Sequence, residues 1–479
     1  MDKLVSRQGR APEYVTPQRV LVVLLVVIAT GFGALSAVIK LPALLFAVIL
    51  GIPTLLLIVR YPFVGLLLYL GIFLYRPGET YLVLAPLRLE FLLGGFLLIV
   101  AVVQQRLRTG TVLLPSDRIT LFLALFFGAM AISLFASYEK TITMETCRDF
   151  GKTLVFFLLI VFLVDSPRKL YAFLFTYSLM TIKIAADSLI AFYSGTVMTV
   201  HGVDRIIGAT SAGGDPNTLA TTMVVSLPLV FVTGRWSRRL VPKGVMYGSC
   251  GLMLVLIALT GSRGGVLALL SLLLFATVLL RQRTVIIVAS LVVLPLVWNI
   301  LPTEYKERYQ GTVAAKTLDE ASSGRWEIWK GGLNMIVSRP LTGVGAGAFS
   351  WAGGSRQFGS AGYMQAHNLF IDIAATTGLI GLTVWLLFLG TMVHRLFLFR
   401  GSPVVVPGYP KKIISQGLLL CLSALLISGL FGHNTYRYHW YLIAALTVVM
   451  MRDKQMGTGP GPASRIRKSG VEPTLPDLA

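Results

Sequence analysis

Apolar runs of about 17–25 residues, each closed off by charged residues, glycine or proline, recur along nearly the whole chain. A run of that length is what an α-helix needs to cross the ~30 Å hydrocarbon layer of a bilayer. Fourteen can be drawn, over 20–38, 41–59, 61–75, 86–103, 119–137, 150–164, 170–192, 218–233, 244–261, 264–280, 284–301, 368–394, 414–432 and 436–451. The second and third are short and joined by Arg60-Tyr61-Pro62, so the pair reads either as two spans or as one re-entrant feature. The pattern therefore predicts an all-α polytopic membrane protein of 12–14 transmembrane helices.

Two connections on one side of these spans exceed turn length, 193–217 and 302–366. Long loops in a compact fold are as a rule functional or disordered. The larger one is not low-complexity: Trp326, Trp329, Leu333, Ile336 and Val337 recur at helical spacing. Two tryptophans on that stripe suit an amphipathic helix lying at a membrane interface. Ser322, Ser323 or Gly324 can cap it, and Glu327 suits its first turn. The chain then divides into a tail (1–19), a helix bundle with short loops (20–301), a large loop with amphipathic helices (302–366), C-terminal spans (367–451) and a Gly-, Pro- and charge-rich tail (452–479). That last composition predicts disorder.

Composition agrees with the pattern. Of 479 residues 55% are hydrophobic and only 13% charged, with a mean hydropathy of +0.77, where soluble domains carry roughly 25% charged residues. The net charge of +21 would suit nucleic acid, but the basic residues lie mostly in short loops between apolar runs, with no basic face interleaved with aromatics. The excess falls on one side, as positive-inside sorting requires. Both termini are expected in the cytoplasm of an inner-membrane protein, with the two long loops on the outer side. The N-terminus lacks the pattern of a cleaved signal. Three cysteines, Cys147, Cys250 and Cys421, form no disulfide framework or metal spacing, and no metal or cofactor is expected.

The candidate chemistry sits at the outer ends of the spans. Arg325 falls in the first turn of the loop helix, where free N–H groups favour an anion; on spacing alone it reads equally as an exposed arginine. Arg263, in Leu-Thr-Gly-Ser-Arg-Gly-Gly, lies at a tight outer hairpin, as an anion ligand or an arginine snorkelling to the interface. His367 opens a span from the outside and can serve as a base at neutral pH, or as a hydrogen-bonded structural residue. Asp372, five residues on, is badly phased to orient it. Asp215-Pro216-Asn217 is a helix start, with capping the simpler role for Asp215 and Asn217, and Arg205 adds a further external cation. Gly343, Gly345 and Gly347 resemble a nucleotide fingerprint only superficially, since no βαβ context surrounds them. Lys183 and Asp187, four apart within a span, can neutralise one another.

Four stretches, GDPNTLA, LTGSRGG, SGRWEIWKGGLNMIVSRPLTGVGAGAF and AHNLFIDIAATTGLIG, lie in this order over about 200–385. Together they resemble the O-antigen ligase and polymerase superfamily of bacterial membrane glycosyltransferases. The resemblance implies en bloc transfer of an undecaprenyl-diphosphate-linked glycan to an acceptor hydroxyl on the periplasmic side, without nucleotide sugar or metal. It makes His367 the base or orienting group, with Asn368, Asp215 and Asn217 in support, and Arg263 and Arg325, joined by Arg205, the diphosphate ligands. The expected acceptor is lipid A–core. The alternatives are a second repeat unit (a polymerase), a protein or capsule, or, in a different class, transport of the lipid-linked glycan.

Overall fold

The computed structural model describes residues 43–109, 115–200, 202–210, 214–313, 325–355, 357–359, 363–401 and 409–452. The two predicted tails, the first expected span and the proposed caps Ser322, Ser323 and Gly324 lie outside the described residues, Arg452 of the C-terminal tail excepted. The chain forms two units that part between Arg60 and Tyr61. The described part of the first is one apolar helix, α1 (Ala43–Arg60).

The second unit begins with α2 (Pro62–Tyr75), which starts on a proline, where the missing N–H is no loss. A short α3 (Pro77–Thr80) and a 3-10 turn (Leu82–Leu87) lead into α4 (Leu89–Thr109). Next come α5 (Arg118–Ser133), α6 (Lys140–Leu163) and α7 (Pro167–Tyr193). The Asp117 carboxylate accepts from the Thr120 N–H at the start of α5, and Ser166 caps α7 in the same way. A small antiparallel hairpin follows, β1 (Val197–Val200) and β2 (Val203–Ile206), with Val197 opposite Ile206. Then come α8 (Pro216–Trp236), α9 (Leu240–Leu259), α10 (Arg263–Leu279) and α11 (Arg283–Ile300). The large loop carries α12 (Thr303–Val313), α13 (Arg325–Ser338) and α14 (Phe349–Gly354). The chain re-enters the bundle as α15 (Leu369–Gly401), α16 (Lys411–Leu430) and α17 (Tyr438–Met451).

This is an all-α multi-pass membrane protein. Among the described residues six helices are long and apolar enough to span a bilayer, α4, α7, α8, α9, α15 and α16; α11 with α12 forms a seventh candidate bent by 118°, and five apolar helices are shorter. Among the described residues the predicted spans fall on helices. The span expected at 150–164 is longer, because α6 starts at Lys140 with a polar first half. The hairpin was not foreseen; its strands are four residues each.

Three helices are buried nearly all round, α8, α16 and α17, and others pack against them. The α8 hydroxyls that would otherwise face apolar surroundings are satisfied: Ser226 bonds Tyr177 at 2.7 Å, and Thr233 Oγ1 donates to the Leu229 carbonyl. An aromatic seam of Phe73, Phe156 and Tyr438 joins α2, α6 and α17. Lys183 and Asp187 pair at 2.6 Å, with the ammonium 3.9 Å from the Tyr75 ring centre, so the charges neutralise locally as their spacing suggests.

The loop helix α13 carries the predicted stripe on one side and its protein contact on another. Ile328, Gly331, Gly332 and Met335 are buried, toward α15, while Trp326, Leu333 and Val337 of the predicted stripe are exposed. A side chain at Gly332 would meet Ile371 at 2.4 Å, so the two helices touch backbone to side chain. After α13 the segment 340–345 runs into α15 where that helix breaks at Gly378 (φ 71°). There the Leu379 N–H donates to the Pro340 carbonyl, and those of Val344 and Gly345 donate to Ala375 and Thr376. Gly343, Gly345 and Gly347 all have positive φ. Their role is close passage of backbone past α5, α6 and α15, not a nucleotide cradle.

Candidate functional site

The sequence-predicted residues arrive at one end of the bundle on separate helix starts. Arg263 is the first residue of α10, behind the cap Ser262, whose hydroxyl accepts from the Gly265 N–H. Arg325 is the first residue of α13. Asp215 caps α8 by accepting from the Asn217 and Thr218 N–H groups, and Asn368 caps α15 by accepting from those of Phe370 and Ile371. Capping is thus the observed part of the roles of Asp215 and Asn368. Helix starts carry partial positive charge and free donors, so the cluster is electropositive before its side chains are counted.

Those side chains are mutually close. Arg263 is near enough to Arg325 and to Arg308 of α12 to act on both: each of the two is lowered below the usual arginine value, first by burial and then by the Arg263 charge. Arg308 is held by its Nε–H donating to the Gly261 carbonyl, and Tyr309 and Tyr305 pin α12 over the same turn through the Ala258 and Asp204 carbonyls. Arg205, expected as a ligand, is buried and bonded into the framework. Its Nε–H donates to the Thr260 carbonyl at 2.6 Å and its Nη2 to Asn217 Oδ1, which also accepts from the Ser262 hydroxyl. Asn217 therefore ties β2, α8 and the α9–α10 turn together.

His367 lies two residues before α15 with φ 48°, a region costing a non-glycine residue about 1–3 kcal/mol. Its neighbours hold it there: the Trp329 indole N–H donates to the Ala366 carbonyl, and Asn368 is locked by its cap. The imidazole pKa is pushed down to about 4, first by burial, then by Arg325 and His433, against a smaller pull from Asp215. His367 is accordingly neutral at pH 7 and able to accept a proton. Asp372 does not orient it, since its carboxylate accepts from the Thr435 hydroxyl at 2.7 Å.

Two further members come from the turn between α16 and α17. The His433 ring is 5.5 Å from that of His367, centre to centre, at 68°. Its pKa is also lowered, by the protein crowded around it and then by Arg437. Arg437 donates to the Thr218 hydroxyl, which donates to Asp215 at 2.5 Å. Burial opposes the Asp215 charge, but Thr218, the Asn217 N–H, His433 and Arg437 together bring its pKa below the usual carboxylate value. Sequence reasoning missed His433, Arg437 and Arg308. The available signal for Arg437 was an arginine in a short loop on the side otherwise poor in basic residues.

An apolar groove of about 390 Å³ opens beside the cluster between α9, α10 and α11, lined by Leu254, Val266, Leu270, Leu294 and Trp298 with Arg263 and Tyr309 among its walls. The arrangement is a cationic cluster around two neutral histidines, His367 and His433, with Arg263 shared between it and an aliphatic groove along the helices.

Fold and site together define a multi-pass membrane protein with clustered arginines beside an apolar groove at one end of its bundle. Residues 248–386 match the family model described as O-antigen ligase. The matched stretch holds Arg263, Arg308, Arg325 and His367, whereas Arg205, Asp215, Asn217, His433 and Arg437 lie outside it. No curated protein matches the chain.

Proposed function

We propose that the chain transfers a glycan en bloc from an undecaprenyl-diphosphate carrier to an acceptor hydroxyl on the periplasmic face of the inner membrane, as an O-antigen ligase acting on lipid A–core. One juxtaposition carries this reading: a neutral His367 beside the Arg263–Arg325 pair, at the mouth of an apolar groove.

The groove takes the polyprenyl chain and puts its diphosphate against Arg263 and Arg325. Guanidinium groups clamp phosphate oxygens in pairs and keep their charge even when partly buried. The acceptor oxygen forms a bond to the anomeric carbon as the bond from that carbon to the diphosphate oxygen breaks. The electron pair leaves on the diphosphate, where Arg263, Arg325 and Arg308 offset the growing negative charge. The hydroxyl proton passes to the imidazole of His367. Arg205 and Asn217 contribute by fixing the α9–α10 turn that carries Arg263, and Asn368 by fixing the start of α15.

In a strain lacking the wild-type gene, His367→Ala is expected to give folded protein at normal level while long undecaprenyl-linked glycan accumulates. Transfer should fall by about 10²–10⁴-fold, the usual worth of a general base. Undiminished transfer would remove His367 from the chemistry. Accumulation of single repeat units in place of long chains would assign the acceptor to a polymerase instead.

A further inference from the structure

A second cavity at the same end of the bundle takes no part in the site above. It has a volume of about 410 Å³ and lies among α2, the 3-10 turn, α4 and α6, with Arg76, Arg88, Arg148, Lys152, Glu79 and Glu90 as its charged wall. It shares no helix with the aliphatic groove of α9–α11. Three non-glycine residues have positive φ among the described residues: His367 and, at this cavity, Arg76 (50°) and Arg88 (41°). Such positions gather at ligand sites, because only surrounding structure that specifies them strongly sustains them.

The cavity wall approaches the histidine cluster at Arg437. Arg76 is close enough to act on Arg437, and the Phe73 ring stands edge-on to Tyr438 at 5.8 Å. Arg437 in turn bonds Thr218 and acts on His433. A molecule seated here thus has its inner end facing the residue that adjoins His433 and Asp215.

The wall chemistry is mixed. Glu79 lies 3.1 Å from Arg76 and Glu90 3.9 Å, while Asp149 pairs with Lys152 at 2.8 Å. The cations therefore outnumber the carboxylates without forming a uniformly positive patch. Arginine and lysine suit phosphate, and carboxylates accept from sugar hydroxyls. Beside the cavity, α4 exposes Phe91 and Leu92, each 60% accessible, as an apolar face for acyl chains.

We infer that this cavity is the acceptor site, taking a phosphate-bearing saccharide on a lipid anchor. The inference rests on the glycosyltransferase reading and adds the place and chemistry of its second substrate. Donor and acceptor then enter by different helices and meet at the His367–His433–Arg437 cluster. Arg88 and Arg148 hold the acceptor's phosphates, and Glu79 and Glu90 its hydroxyls.

The test uses the full chain in vesicles, with a lipid-linked glycan donor and purified lipid A–core, either intact or phosphatase-treated. In Arg88→Gln/Arg148→Gln the KM for intact acceptor should rise about tenfold, the loss expected for a charge-assisted hydrogen bond, while the donor KM stays put. The treated acceptor should be poor with the wild type and no worse with the variant. An unchanged donor KM also certifies the fold; should the double variant misfold, Arg148→Gln alone, on the exposed side of α6, serves the same comparison. Equal loss toward donor and acceptor, or indifference of the wild type to acceptor phosphate, would overturn the assignment. Competition by phosphatidylglycerol would do so too, marking a lipid-headgroup site. Absence of transfer by the wild type would overturn the glycosyltransferase reading and this inference with it.

Discussion

Arg263 and Arg325 owe their value to position as much as to charge. Each is the first residue of a helix, so a bound phosphate meets a guanidinium together with the positive end of the helix dipole. The same field acts on His367. With its pKa near 4 in the folded chain against ~6.5 for a free imidazole, the folded state resists protonation. Its contribution to stability is whole above pH ~6.5 and is lost as pH falls toward 4. Catalysis should show the same displacement. The acid limb of kcat/KM is expected near pH 4, and that of kcat at higher pH, because a bound diphosphate offsets the arginines. Arg325→Gln removes a cationic neighbour and should move the kcat/KM limb upward; a limb that does not move would separate Arg325 from His367. These three residues were legible in the sequence because a charge at the edge of an apolar run needs a reason. His433 and Arg437 were not, since their turn is short and nothing along the chain says that it folds over the start of α15.

At the scale of elements, hydrophobic periodicity located the helices well but was blind to how they are interrupted. The 33-residue α15 reads as one apolar run, yet it breaks at Gly378, and the break admits the 340–345 segment into its backbone hydrogen bonding. The glycines of that segment, discounted as a nucleotide fingerprint, serve a close approach whose partner the sequence does not name. At Gly345, with φ 109°, a Cβ would fall 2.4 Å from Ser137 Oγ; at Gly378 it would fall 2.1 Å from the Leu341 carbonyl oxygen. Both Gly345→Ala and Gly378→Ala should therefore destabilise by about 2–6 kcal/mol, combining left-handed strain with overpacking. Gly390, further along α15, has open space around its α-carbon, and Gly390→Ala should stabilise by up to about 1 kcal/mol. Thermal melts in detergent compare the three. Equal behaviour would mean that the α15 break is not held by the segment threaded against it. The contact side of α13 was not legible for a related reason: two glycines, Gly331 and Gly332, form part of it, and a stripe defined by large apolar residues passes over them.

The whole molecule carries arginine at both ends for different physical reasons, and this bears on which way it faces. At the site end Arg205 and Arg308 donate to backbone carbonyls and Arg437 to a hydroxyl, and with Arg325 all four have lowered pKa values led by burial. Across the bundle Arg238, Arg239, Arg281 and Arg283 are exposed. The helix α8, 21 residues long, runs from Asp215 in the site toward Arg238 and so separates the two by about 30 Å. Exposed arginines in short loops obey the positive-inside rule, whereas bonded and buried ones answer to the fold and its ligand. We propose from the exposed short-loop arginines Arg238, Arg239, Arg281 and Arg283 that the site faces the periplasm, where a lipid-linked glycan and its acceptor would meet. Cysteine labelling checks this in a background with Cys147, Cys250 and Cys421 replaced by serine. Glu304→Cys, exposed on α12, should react with a membrane-impermeant maleimide in intact spheroplasts. Arg238→Cys should react only after the membrane is opened. The reverse pattern would turn the site toward the cytoplasm, and the exposed arginines would then need some explanation other than topology. With the expected pattern, every cation still buried at the outer face is one that positive-inside sorting disfavours and that only a bound anion or the fold accounts for.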